Sequence, residues 1–170
     1  LTNAMLERIW SGWRSSYVAG APARAEPVTA GPEPTVAGSV FTQLLNSDAP
    51  DDETFIVHRG STCFAVCNLF PYSSGHLLVV PYREVADLDG LSTEETADLW
   101  ATVADAVRVL RHVYRPDGLN VGLNLGRPAG GSVPDHLHVH VVPRWRGDTN
   151  FMTSVAETRV LPESLDETWR

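Results

Sequence analysis

The chain has 170 residues, 43% of them hydrophobic, which suits one domain with a full-sized core. Its formal charge of −8 argues against a general nucleic-acid or membrane-surface role. No apolar run approaches the roughly 20 residues that span a bilayer, and no charged-then-apolar start reads as a secretory signal. Leu1 rather than Met stands first, which leaves the true start of the chain open. All 13 basic residues are arginine, a residue whose planar fork suits phosphate. Cys63 and Cys67, four apart on one predicted strand, are too distant for a disulfide. They read as reduced thiols of a cytoplasmic protein.

Residues 1–20 predict a helix, because Leu6, Ile9, Trp10, Trp13 and Tyr17 recur on one helical face. That stripe would pack on the main body or on a partner subunit. Residues 21–39, with Pro22, Pro27, Pro32 and Pro34, read as an irregular linker. The regular domain spans 40–146. Val40, Phe41, Leu44 and Leu45 form a short helical patch, and Asn46 to Glu53 is an acidic loop. Phe55–His58 and Thr62–Cys67 predict a β-hairpin, and His76–Pro81 a buried strand stopped by proline. Ser92-Thr93-Glu94-Glu95 is a capping box that opens a long helix. Its apolar face is Leu99, Trp100, Val103, Val107, Leu110 and Val113. Leu119–Leu125 is another strand, followed by a Gly-rich loop over 126–134. Residues 147–170 form a C-terminal extension that packs on the core or on a partner subunit, with a helix start at Leu161-Pro162-Glu163. Strands that pair mostly in sequence, with one long central helix, give an α+β fold built on an antiparallel sheet.

The fifth strand carries the chemistry. His136, His138 and His140 alternate with Leu137, Val139 and Val141. Period two puts three imidazoles on one face and an apolar, mostly β-branched set on the other. A helix would turn His138 roughly opposite the other two. Three readings compete: a His-rich surface strand, a metal site, or a nucleophilic histidine acting at phosphorus. The metallo-hydrolase order, with Asp between the second and third His, does not fit, because Asp135 precedes the run.

Asn68, Gly75-His76, Asn124, Gly126 and Ala129-Gly130-Gly131-Ser132-Val133, ahead of His136-Leu137-His138-Val139-His140-Val141-Val142, together resemble the histidine-triad (HIT) superfamily. Arg144-Trp145-Arg146-Gly147-Asp148-Thr149-Asn150-Phe151-Met152, with the 68–83 segment and Leu6 to Trp10, is similar to its bacterial diadenosine tetraphosphate phosphorylases. The resemblance implies a HIT-like five-stranded antiparallel sheet and a nucleotidyl-histidine intermediate, with His138 as nucleophile. By the same resemblance His140 touches the phosphoryl oxygens or leaving group, His136 orients the site, and His76 supports it from behind. Asn124, Gly131 and Ser132 would hold the phosphoryl group. Phe41, Leu44 and Leu69 would enclose the base, and Asn68 would bond the ribose. Arg144 and Trp145, with Arg146, would receive the distal part of a long substrate.

The implied reaction cleaves diadenosine tetraphosphate with inorganic phosphate to ADP and ATP. The alternatives are a dinucleoside polyphosphate or phosphoramidate hydrolase, and a nucleotide-binding regulatory protein. Several relatives carry a Cys-x-x-Cys before the first core helix that helps to bind structural zinc. Gly38-Ser39-Val40-Phe41-Thr42 has no cysteine, so no structural zinc is expected. The triad needs no metal, and a divalent cation such as Mg is compatible with the polyphosphate substrate. The family habit predicts a homodimer through the long helix and sheet edge, with a tetramer as the further option.

Overall fold

A computed structural model describes residues 38–130, 132–148 and 164–170. The helix and linker expected before Gly38, and the helix start expected at Leu161-Pro162-Glu163, lie outside the described residues. Residues 38–130, 132–145 and 164–170 belong to one compact unit. Its frame is a five-stranded sheet of order β1-β2-β3-β5-β4 with every neighbouring pair antiparallel. The strands are β1 (Ile56–Arg59), β2 (Cys63–Cys67), β3 (Leu77–Pro81), β4 (Gly118–Leu123) and β5 (Val139–Arg144). The helices are α1 (Val40–Leu45), α2 (Asp51–Thr54), α3 (Thr93–Tyr114) and α4 (Leu165–Trp169).

Strand parity sorts the interior into two layers. Ala65, Leu77, Val79, Leu137, Val139 and Val141 meet Leu99, Val103, Ala106 and Leu110 of α3 in one cluster. Ile56, Phe64, Val66, Leu78 and Val80 point to the other face and meet Phe41 of α1. Because paired residues of a sheet share a face, the Leu78–His140 pair puts His140 on the α1 side. The predicted alternation therefore separates core from chemistry. Among the described residues no helix is long and apolar enough to cross a membrane.

Helix α3 starts where its sequence indicates. The Ser92 hydroxyl accepts the Glu95 N–H at 3.1 Å, and Glu95 Oε2 accepts the Ser92 N–H at 2.7 Å. Its buried stripe, however, is Leu99, Thr102, Val103, Ala106 and Leu110. Trp100 is 41% exposed and Val113 65% exposed, against expectation. Trp100 follows Leu99 by about 100° of helical turn, and the small Thr102 and Ala106 let the helix approach the sheet on their side. The expected loop over 46–53 also contains α2, which opens after Pro50 with Asp51, Asp52 and Glu53 in its first turn. Phe55, expected in a strand, caps α2 with φ of 59°. Cys63 and Cys67 are buried on β2 and are not joined in a disulfide. Helix α4 is capped by Ser164, and Trp169 Nε1 donates to the Ile56 carbonyl at 3.2 Å.

One correction bears on the site. Strand β5 begins at Val139, not at His136. The β3–β5 register, 79 against 139, would next set Leu137 opposite Pro81. Pro81 has no N–H, so the ladder stops, and the Leu137 N–H goes instead to the Val85 carbonyl at 2.6 Å. His136, at a bend, and His138 consequently sit on the segment that leads into the strand, and only His140 lies within it.

Candidate active site

The three imidazoles stay in one row. His136 and His138 are buried, and His140 is partly covered. The rings of His138 and His140 lie 5.0 Å apart between centroids. Their protons follow from partners that can act in only one way. His138 Nδ1 is 2.9 Å from the His136 carbonyl, which can only accept. Nδ1 therefore carries the proton, and Nε2 presents a lone pair. His76 Nδ1 accepts the Tyr72 backbone N–H at 3.0 Å, so its proton is on Nε2. That Nε2–H donates to His140 Nδ1 at 2.9 Å, which leaves the His140 proton on Nε2. Among the described residues, His140 Nε2 is a buried polar atom without a hydrogen-bond partner. Adjacent histidines thus hold opposite tautomers: His138 offers an electron pair and His140 a proton.

Burial favours the neutral rings. It lowers the pKa of His138, against the opposing pull of the His136 carbonyl, with charge on His136 lowering it further. Burial and then His138 push His140 down to about 4. His136 is lowered by burial, while the Pro81 carbonyl and Glu84 oppose that shift. At neutral pH the row is uncharged, as a nucleophilic imidazole requires.

Helix α1 covers one end of the row. The Phe41 ring meets His136 edge-on at 5.4 Å and His138 at 5.2 Å. Leu44 packs on the same apolar layer, whereas Leu69 is 57% exposed. Asn68 Oδ1 accepts the Phe70 N–H at 3.0 Å, and its Nδ2 lies 3.3 Å from His76 Nδ1. On the other side, the β4–β5 register pairs Leu123 with Val139, and one more step sets Asn124 opposite His138. The loop beyond it turns through Gly126 and Gly130, whose φ angles are 76° and 97°, and a Cβ on Gly130 would be 3.9 Å from Asn124 Nδ2. Ser132 is exposed in that loop, and Gly131 lies outside the described residues.

Arg144 shares the histidine face and donates to Asn120 Oδ1 at 2.9 Å. Trp145, expected near distal substrate, lies on the opposite face by strand parity and packs against Tyr114 of α3, 6.3 Å away. Three contributors were missed from sequence. Tyr72 stacks on His140 at 5.7 Å and 14° while its N–H sets the His76 tautomer. Ser39 bonds His136 Nδ1 at 2.6 Å, and Glu84 bonds Ser39 in turn. Ser39 stands in the segment noted for lacking cysteine and Tyr72 in the 68–83 segment that carries the resemblance, whereas Glu84 lies just beyond it.

The HIT domain family matches residues 49–147. The chain is 46% identical over 165 residues to the AP-4-A phosphorylase of Mycobacterium tuberculosis, covering 97% of this chain and 82% of that protein. It is 37% identical over 93 residues to the asymmetrical bis(5'-nucleosyl)-tetraphosphatase of Schizosaccharomyces pombe, covering 55% of this chain and 50% of that protein. A Zn-bound histidine triad family protein from Mycobacterium smegmatis superposes with a TM-score of 0.61 at 28% identity, over 76% of this chain and 86% of that one. With its histidine row, its sheet order and these relatives, the chain belongs to the HIT family.

Proposed function

We propose that the protein is a nucleotidyltransferase that phosphorolyses diadenosine tetraphosphate. The His138 Nε2 lone pair attacks the α-phosphorus of one adenylyl moiety. The bond from that phosphorus to its bridging oxygen breaks, and ATP departs. Nδ1–H remains bonded to the His136 carbonyl and stabilises the imidazolium formed as the P–N bond is made. His140 Nε2–H donates to oxygen at the reacting phosphorus. Inorganic phosphate then attacks the adenylyl-histidine, yielding ADP and neutral His138.

The carrying observation is the pair of opposite tautomers at His138 and His140. The identity to the mycobacterial phosphorylase supports phosphate as the second nucleophile. Asn124, Gly131 and Ser132 are assigned to the phosphoryl group, Phe41, Leu44, Asn68 and Leu69 to the nucleoside, and Arg144 to distal phosphates. The test is product analysis with and without phosphate. ADP and ATP formed only with phosphate support the reading. AMP and ATP formed regardless of phosphate would show a hydrolase, the activity named for the yeast relative.

The reading uses no metal at the triad and assigns no structural zinc. Ser39 and Thr42 present hydroxyls, already bonded to Glu84 and His136, where thiolates would suit zinc. A homodimer through α3 and the edge strand β4 is part of the same proposal, since Trp100, Val109, Val113 and Val121 are exposed there.

A further inference from the structure

Helix α1 has six residues and a single buried one, Phe41. So short a helix has little stability of its own, and its position must be set by docking. Phe41, Leu44 and Leu45 pack on the apolar layer, and polar contacts fix the N-terminal end of the helix. Glu84, three residues beyond the end of β3, takes two hydrogen bonds on Oε2. One comes from the Ser39 N–H at 2.9 Å and one from the Thr42 hydroxyl at 2.7 Å. The Ser39 Oγ accepts the Thr42 N–H at 3.2 Å and lies 2.6 Å from His136 Nδ1. His136 Nε2 is 2.8 Å from the Pro81 carbonyl, which only accepts, so Nε2 holds the proton and Nδ1 accepts. The single Ser39 hydroxyl proton is therefore committed to His136, and the Thr42 hydroxyl is left to serve Glu84. Every proton has one consistent assignment. Gly38 permits the approach: its φ is +97°, and a Cβ there would lie 2.8 Å from Thr42 Cγ2 and 3.3 Å from Glu84 Oε2.

We propose that Glu84 is a positioning residue: through Ser39 and Thr42 it fastens α1, and with it the Phe41 ring, against His136 and His138. This rests on reading the histidine row as a nucleotide site. The clamp sets the wall of that site and not the reacting atoms. Its loss therefore weakens binding of the nucleotide more than it slows the chemical step.

The experiment compares full-length wild type with Glu84→Ala, Glu84→Gln and Ser39→Ala. Steady-state kinetics use diadenosine tetraphosphate and phosphate, and amide hydrogen exchange is read over residues 40–46. Glu84→Ala is expected to raise KM about 10-fold with kcat within about twofold, and to speed exchange in α1. Glu84→Gln keeps one oxygen that accepts both bonds, so it stays near wild type in both readouts. Ser39→Ala removes the cap and the His136 contact together and follows Glu84→Ala. Unchanged α1 exchange in Glu84→Ala overturns the clamp. Faster exchange with unchanged KM overturns the positioning role. If wild type turns over no dinucleoside polyphosphate, the reading of the site falls, and exchange alone decides the clamp.

Discussion

His76 Nε2 donates to His140 Nδ1 at 2.9 Å, and this one bond decides what His140 offers to a substrate. The direction is imposed from further back, by the Tyr72 N–H on His76 Nδ1. A neutral imidazole has one proton, so fixing one nitrogen fixes the other. Replacing His76 with Phe keeps a ring but removes the donor. His140 is then free to carry its proton on either nitrogen. We expect kcat to fall about 100-fold, the lower end of what a positioned proton donor contributes. His76→Gln, whose amide can donate to His140 Nδ1, should recover part of that loss. Equal kcat in the Phe variant and wild type would falsify the relay.

His138 is the only member of the row whose free nitrogen carries a lone pair in this assignment. Its replacement by Ala removes the nucleophile itself, so turnover should drop by on the order of 10⁴-fold or more. Trapping is the sharper check: rapid quenching with labelled substrate and no phosphate should leave label on wild type and none on the variant. Label retained by His138→Ala would move the nucleophile elsewhere.

The depressed histidine values set a pH window. Protonating His138 removes the lone pair, and its pKa lies below the ordinary 6.5. The rate should therefore be flat across neutrality, with its acid limb below 6.5. Stability follows the same sign. For a group whose folded pKa is depressed, stability is present above the unfolded value and is lost as pH falls toward the folded one. For His140 that window runs from 6.5 to about 4. Glu95, held down to about 2 by Arg83 and the Ser92 N–H, extends the loss below 4.5. Thermal unfolding between pH 7 and pH 4 should show a falling midpoint. A midpoint that rose over this range would mean the histidines are charged in the fold.

Two features written locally were legible in the sequence, although the equally local start of α2 at Pro50-Asp51 was not. The capping box at Ser92 lies within four residues, and the Leu137, Val139, Val141 alternation belongs to one segment, so both were read directly. Features that depend on a distant partner were not. The strand start moved to Val139 because Pro81, on another strand, lacks an N–H. The Ser39–His136 bond joins residues 97 apart, and the Glu84 contacts span 45 and 42. Nothing in Pro81-Tyr82-Arg83-Glu84 marks the last residue as a partner of α1. Arg144 and Trp145 both follow the triad strand, yet strand parity sends their two side chains to opposite faces.

Two glycines separate stability from access. Gly75, just before His76, has φ of +72°, and a Cβ there would lie 2.9 Å from Tyr114 Cε2 and 3.2 Å from both Leu110 and Pro143. Gly75→Ala should cost about 1–3 kcal/mol, since it combines a left-handed backbone with overpacking. Urea midpoints measure it directly. Gly122 is its counterpart: it pairs with His140 across β4 and β5, and a Cβ there would meet nothing within 4 Å. Gly122→Val sets its Cβ in space open among the described residues and should leave the urea midpoint close to wild type. Its side chain would stand beside His140 on the substrate face, so kcat/KM should fall about 10-fold or more. If Gly122→Val left kcat/KM intact, the room beside His140 would not be used by substrate, and the path of the departing nucleotide would have to lie toward Tyr72 instead.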